Sequence, residues 1–436
     1  MPKKIIICCD GTWNKREERV NGEVQPTNVV KIMRALLPTD EAGVDQVVYY
    51  DTGVGTAGLW DKFVGGAFGV GLSNHVKDAY RFIANNYGAG DEIFCFGFSR
   101  GAYTVRSLSG LIGSVGLLDK SKLEYLPEAY KYYRTPPSKR PTSQYRDAAF
   151  VDDPARRHVA ITFMGVWDTV GALGIPVRGL RWISRRWVGF HNTELSGNIK
   201  YAYQALAIDE QRAPFAPALW TTLESKPEAG HLKPRVLQVW LPGVHSNIGG
   251  GYSHTGLSDS ALRWMVNRAA AHGLAFDQDF LRDRVKPNPI NGVLVDSFTW
   301  PYKLLWWISP RYQRPIARTD VEMMEMLHTC VPQRMDQCTT SYAPANVMDA
   351  RTRNVPEFKE RRYSRRIVNW PAALIISGRE IACLILDFSA EGGARIQAKA
   401  DVPMQASVEL TSAQTGTSRG RVVWQRNDLA GLRFRS

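Results

Sequence analysis

Three residue types that together cleave esters occur in this chain as Ser99, Asp168 and His245. Ser99 lies in GFSRGA (97–102), between the strand-like DEIFCF and the helix-like YTVRSLSGLIGSVGLL. A G-x-S-x-G pattern is frequent by chance, so the flanking elements carry its meaning. A tight turn from a buried strand into a helix lifts the serine hydroxyl clear of the sheet. Gly97 and Gly101 leave strand and helix room to approach, and the helix's first amide, that of Arg100, points toward a developing oxyanion. The hydroxyl still needs a base to take its proton and an acid to orient that base. Asp168 ends the run ITFMGVWD, and His245 follows LQVWLPGV beside a glycine-rich turn. All three therefore stand at carboxyl ends of strand patterns, where open α/β sheets build their sites.

Strands and helices able to hold these residues show in the sequence as alternating segments. KKIIICC, QVVYYD, EIFCFGF, VAITFMGVWD and RVLQVWLPGVH are near-continuous apolar runs separated by amphipathic stretches. Strands buried on both faces read this way, which predicts a mostly parallel sheet covered by helices. The chain order Ser, Asp, His is the order of an α/β-hydrolase. Between residues 346 and 366 the texture becomes strongly basic. Six short alternating segments follow: AALIIS, EIACLILDF, ARIQAKA, SVELTS, GRVVWQ and GLRFRS. Segments of that length, broken by Gly, Asp, Asn and Ser, predict a small β-barrel. The expected organisation is thus an α/β-hydrolase domain over 1–350, a basic linker over 351–360 and an all-β barrel over 361–436.

Composition narrows the classes. The 436 residues are 44% hydrophobic with 13 tryptophans, as in a folded chain of two or three domains. No apolar run reaches the ~18 residues of a membrane span. MPKKIIICCDG is cut off by Asp10 and suits a first strand better than a signal peptide. The six cysteines lack metal spacing, which predicts free, mostly buried thiols, no metal and a cytoplasmic location. The net charge of +13 implies anionic partners. GVGTAG (53–58) imitates the start of a phosphate loop, but Leu59 stands where the lysine is required, so a nucleoside triphosphatase is excluded.

On the substrate side, PVRGLRWISRRWVGF (176–190) would set Leu180, Ile183, Trp187 and Phe190 on one helix face with Arg178, Arg181 and Arg185 opposite. WPYKLLWWISPRYQR (300–314) repeats the mixture. Aromatics at acyl-chain depth with arginines at headgroup phosphates suit a lipid substrate and peripheral contact with a membrane surface. Asp209, Glu210 and Arg212 offer a rival acid pair and are expected to be structural.

Seven motifs fall in one order: CDGTWN (9–14), TNV (27–29), YYDTGVGT (49–56), GFSRGA (97–102), GVWDTVG (165–171), DEQRAPFAPALW (209–220) and LPGVHSNIGGGY (241–252). Through them, over roughly residues 3–347, the chain resembles the DUF2235 hydrolases, which include phospholipase effectors of type VI secretion systems. The resemblance implies an α/β-hydrolase fold and an esterase or lipase-like activity using Ser99, Asp168 and His245. By that fold's layout the loop after the first strand donates a second oxyanion amide, from Thr12 or Trp13. Asn247 departs from the family, which commonly has Asp there.

The barrel carries its own pattern. Arg362-x-x-x-Arg366 overlaps a second pair, Arg361 and Arg365, and is followed after 387 − 366 = 21 residues by Asp387-x-Ser389-x-x-Gly392. Over about 358–436 this is similar to the PilZ domain, the bacterial receptor for cyclic di-GMP. Guanidinium groups can fork onto phosphate or guanine and stack on the ring, and a carboxylate can accept from guanine N–H groups. The resemblance implies cyclic di-GMP as a regulatory ligand of Arg361, Arg362, Arg366, Asp387, Ser389 and Gly392, with no catalytic cofactor and no nucleic-acid polymer as partner. The leading expectation is a serine esterase or phospholipase controlled by cyclic di-GMP. The alternative is a non-catalytic adaptor on a hydrolase fold, with the barrel as a signalling or protein-interaction module.

Overall fold

The apolar runs of the first 360 residues become strands of one sheet. The computed structural model describes residues 2–11, 19–20, 23–53, 67–140, 151–170, 194–223, 235–298, 311–317, 319, 323–353, 355–358, 366–389, 392–398, 400, 402–426 and 428–434. Eight strands are β1 (Lys4–Cys9), β2 (Gln46–Asp51), β3 (Glu92–Phe98), β4 (Ile161–Trp167), β5 (Ile199–Ala207), β6 (Arg235–Leu241), β7 (Glu325–His328) and β8 (Glu357–Phe358). They pair in the order β8-β7-β6-β5-β4-β3-β1-β2, and every neighbouring pair is parallel. Each residue of β1 and β4 is buried, as expected of strands covered on both faces. The chain leaves β1 for β2 on one side and returns to β3 on the other. The carboxyl ends of β1 and β3 therefore flank a topological switch point, where such sheets place their sites.

β5, β7 and β8 lack a clear signature in the sequence. β5 is central, yet its IKYAYQALA is rich in alanine and carries Lys200 and Gln204, residues of weak strand preference. β7 and β8 have four and two residues, too short for a period to register. Among the helices, α1 (Asn28–Ala35) is capped by Thr27, whose hydroxyl accepts from the Val30 amide. α2 (Ala67–Asn86) leads into β3, and α3 (Arg100–Val115) follows it.

Six further strands, β9 (Arg366–Ile376), β10 (Arg379–Ser389), β11 (Gly393–Ala398), β12 (Ser407–Ser412), β13 (Gly416–Arg426) and β14 (Leu429–Phe434), close an antiparallel barrel in the order β9-β10-β11-β14-β13-β12. Each sends at least one fully buried side chain inward, among them Leu374, Ile385, Ile396, Leu410, Val422 and Leu432. Gly393 has φ 125°, and a Cβ there would lie 1.9 Å from the Leu432 carbonyl oxygen, so β11 crosses β14 this closely only with glycine. The chain divides into two compact units, one of residues 1–265 with 276–359 and one of 266–275 with 360–436. Within the first unit, Ala345–Thr352 is helical and β8 extends the sheet edge through residue 358.

All six cysteines are free; Cys8, Cys9, Cys95 and Cys330 are buried, and burial pushes the Cys95 thiol up to about 12. Among the described residues no helix is long and apolar enough to cross a membrane, and no group of His, Cys, Asp and Glu is arranged to hold a metal ion.

Candidate active site

Ser99 joins β3 to α3 with φ 56° and ψ −116°, a conformation strained for any residue with a side chain. Its amide donates to the Trp167 carbonyl at 3.0 Å, which ties the turn to the end of β4. The space for so sharp a turn comes from Gly101. A Cβ there would sit 2.0 Å from the Cys9 carbonyl oxygen, so α3 starts directly against the end of β1. The Arg100 amide is the first of α3, where a helix leaves its N–H groups without intrahelical partners. Burial lowers the Arg100 guanidinium to about 10.

Asp168 follows β4 with φ 41° and is fully buried. Its Oδ1 accepts from the Ala207 amide at 3.0 Å and from Arg314 Nη1 at 2.6 Å. Its Oδ2 accepts from Arg314 Nη2 at 2.9 Å and faces His245 Nδ1 at 2.6 Å. Burial alone would raise this carboxyl, but the Arg314 charge and the bond to His245 hold it well below the usual carboxylate range. Arg314 is itself fully buried and also donates to the carbonyls of Ala207 at 2.9 Å and Phe215 at 2.5 Å. The sequence placed it in a basic, aromatic run suited to a membrane surface. The structure instead turns it into the interior, and residues 300–310 of that run lie outside the described residues.

His245 opens the short helix α4 (His245–Gly249) after β6, with its ring 4.7 Å from Phe98 and 5.0 Å from Phe215. Its Nε2 lies 2.9 Å from Ser99 Oγ, completing a chain Ser99–His245–Asp168 drawn from three strand ends. The neighbouring carboxylates position this helix. The Glu210 carboxylate accepts from the His245 amide at 3.2 Å and is gripped by Arg212 at 2.8 Å through both prongs. Burial raises the Glu210 carboxyl, and Arg212 more than reverses that, to about 2. Asp209 accepts from the Gly243 amide at 2.7 Å and from Tyr342, and burial pushes it up to about 6. Asn247 Oδ1 accepts from the Val244 amide at 3.3 Å, an acceptor role an amide fills without adding charge.

Beyond β1, Asp10 is fully buried and accepts from the Gly11 amide, Thr27 hydroxyl and Tyr50 hydroxyl at 2.7, 2.6 and 3.0 Å. Burial pushes its carboxyl up to about 7 against those three donors. Thr12 and Trp13 lie outside the described residues, as does the 176–190 segment.

In the barrel, Asp387 on β10 is buried and pairs across the hairpin with Arg395 on β11, whose Nε lies 3.0 Å from Oδ2. Ser389 ends β10, and its carbonyl accepts from the Gly392 amide at 3.2 Å. Arg366 is the first residue of β9, opposite Phe388, while Arg361 and Arg362 lie outside the described residues. The hairpin thus brings Asp387, Ser389 and Gly392 together. The partners that sequence reasoning missed are Arg314 and Arg395. Arg395 could have been found from strand register, being directly opposite Asp387, whereas Arg314 had no local signal.

Residues 3–268 match the family model for the catalytic domain of the T6SS phospholipase effectors of Tle1-like type. The chain belongs to that Tle1-like family. Residues 359–436 match the PilZ domain model, so a phospholipase-like hydrolase domain is followed by a PilZ module. The chain is also similar to the Uncharacterized protein YEL023C of Saccharomyces cerevisiae, 29% identical over 247 residues. That match takes in 52% of this chain and 34% of the yeast protein, so the chain spans about a third of its length. Among solved structures, an uncharacterized protein from Pseudomonas aeruginosa is similar at 16% identity and TM-score 0.39, over 67% of this chain and 47% of that one. A Tle1 effector bound to the VgrG spike of the type VI secretion system is similar at 18% identity and TM-score 0.31, over 58% and 52%.

Proposed function

We propose that the Tle1-like domain is a serine esterase of phospholipase type, working through Ser99, His245 and Asp168 and regulated by cyclic di-GMP at the PilZ barrel. One observation carries this reading: a continuous path at hydrogen-bond distance from Ser99 Oγ through the His245 ring to Asp168, beginning at a strained strand-to-helix turn. In this mechanism His245 Nε2 takes the Ser99 proton as Oγ attacks the ester carbonyl carbon. The carbonyl oxygen becomes an oxyanion facing the Arg100 amide, and Thr12, which lies outside the described residues, would supply the second donor. His245 then gives its proton to the departing alkoxide, and water cleaves the acyl-enzyme by the same base. Asp168 holds the Nδ1–H tautomer throughout. Cyclic di-GMP would be gripped by Arg361, Arg362 and Arg366 against Asp387, Ser389 and Gly392. The substrate proposed is a phospholipid met at a membrane surface, a reading supported by the family match over residues 3–268.

The test is fluorophosphonate labelling of the full chain, followed by a panel of short-chain esters and phospholipids with and without cyclic di-GMP. Labelling at Ser99, ester turnover and a dinucleotide-dependent rate are expected. A chain that binds cyclic di-GMP but takes no label fits the adaptor role instead.

A further inference from the structure

We propose that Arg314 is a positioning residue that offsets the charge of Asp168 while leaving its geometry intact, and so shifts the pH at which Ser99 becomes reactive. This rests on the serine-hydrolase reading above. A lone buried carboxylate beside an imidazole does two things: it orients the ring, and its negative charge favours the protonated ring. A protonated ring cannot take the serine proton. Here the two effects are separated. Arg314 meets both carboxylate oxygens, at 2.6 and 2.9 Å, in a place where both partners are fully buried. The pair carries no net charge, so the guanidinium offsets part of the carboxylate's pull on His245, while Oδ2 still stands 2.6 Å from Nδ1 to fix the tautomer. Arg314 also ties Asp168 to the ring-bearing loop, because its bond to the Phe215 carbonyl sits on the residue whose ring packs against His245.

The other charges around the imidazole leave this role to Arg314. Glu210, on the His245 amide, is matched by Arg212 through two prongs. Asp209 is bonded to the Gly243 amide and Tyr342, over which Arg334 stacks. Tyr252 carries a neutral phenol that burial pushes up, and Arg100 follows Ser99 as the first residue of α3. None of them touches Asp168. A fork onto both oxygens, with two more bonds to backbone carbonyls, also explains an arginine rather than a lysine.

The experiment measures the second-order rate of fluorophosphonate labelling against pH, on the full chain and on Arg314→Gln, Arg314→Met and Arg314→Lys. With the neutral variants the acidic limb of the profile is expected to move upward by on the order of one pH unit, because the uncompensated Asp168 then favours the protonated ring. Arg314→Lys, which keeps the charge, should hold the limb within ~0.3 unit of wild type while lowering the plateau. A limb that stays put in a neutral variant that still labels overturns the proposal. If the neutral variants do not fold by near-ultraviolet circular dichroism, the lysine variant decides: a limb that moves with the charge in place is equally fatal. Wild type that takes no label at any pH sinks the triad itself, a failure distinct from an unmoved limb.

Discussion

The candidate active site gathers Ser99, Asp168, His245 and Arg314 from four separate places in the chain, whereas one polar pair of the barrel, Asp387 and Arg395, faces across one hairpin. Ser99 meets His245, and Asp168 meets Arg314, across 146 residues in each case. The first arrangement exists only because eight strands are held in one order; the second needs two neighbouring strands in register. The difference teaches where each site is vulnerable. The long-range site is buried and clamped from several sides, as a site whose donors and acceptors must be fixed before a reaction would need. Recognition of a ligand can be carried by a local motif, and the rest of the barrel supplies only its shape.

Breaking the long-range site at its reacting atom should have the largest effect. Ser99→Ala is expected to lower short-chain ester hydrolysis by on the order of 10⁴ or more, with an unchanged circular dichroism spectrum. Asp168→Asn should cost about as much, because it favours the wrong imidazole tautomer and strands Arg314 in the interior. Either variant hydrolysing esters at the wild-type rate would remove these residues from the mechanism.

A sharper comparison lies within the hydrolase unit, between two buried aspartates at strand ends. Asp168 has a guanidinium and stays ionised; the donors to Asp10 among the described residues are neutral, and burial pushes it up to about 7. A carboxyl whose folded value is raised contributes stability that is complete below its unfolded value of ~3.9 and is lost as pH rises through the folded value. Asp10 should therefore make the fold weaken between about pH 4 and 7, by a few kcal/mol, and level off above that. Asp168 has the opposite sign: its contribution is complete above ~3.9 and fades as the pH falls below it. Denaturant unfolding of wild type and Asp10→Asn at pH 5 and pH 8 checks this. The variant should lose most of the difference between the two pH values; an identical difference in both proteins rules Asp10 out as its source.

The smallest effect belongs to the local site. Arg366→Ala removes one charged fork and should weaken cyclic di-GMP binding by roughly 10- to 100-fold in calorimetry. The dinucleotide's effect on hydrolysis should not exceed ~150-fold, the usual range of coupling between two sites. Wild type that shows no binding heat at roughly 50 μM ligand would leave the barrel without its sensor role.

Much of this was legible without coordinates. GFSRGA after a buried strand specifies a strained turn, because backbone sterics and glycine clearance act over a few residues. The alternating segments after residue 366 specify a barrel for the same local reason. Strands β1 to β4 and β6 were visible as apolar runs, and the types and order of Ser99, Asp168 and His245 followed from their ends. Tertiary structure alone decided the partners. Arg314 sits in a run of aromatic and basic residues whose composition describes a surface equally well, and nothing within several residues of it marks it as buried. Its place beside Asp168 depends on which strands neighbour which, and strand order is settled by the packing of the whole sheet. Asp10 and Asp168 look alike in sequence, each an aspartate after an apolar strand. Their opposite electrostatics come from what the fold brings to each carboxylate: three neutral donors for one, a buried guanidinium for the other.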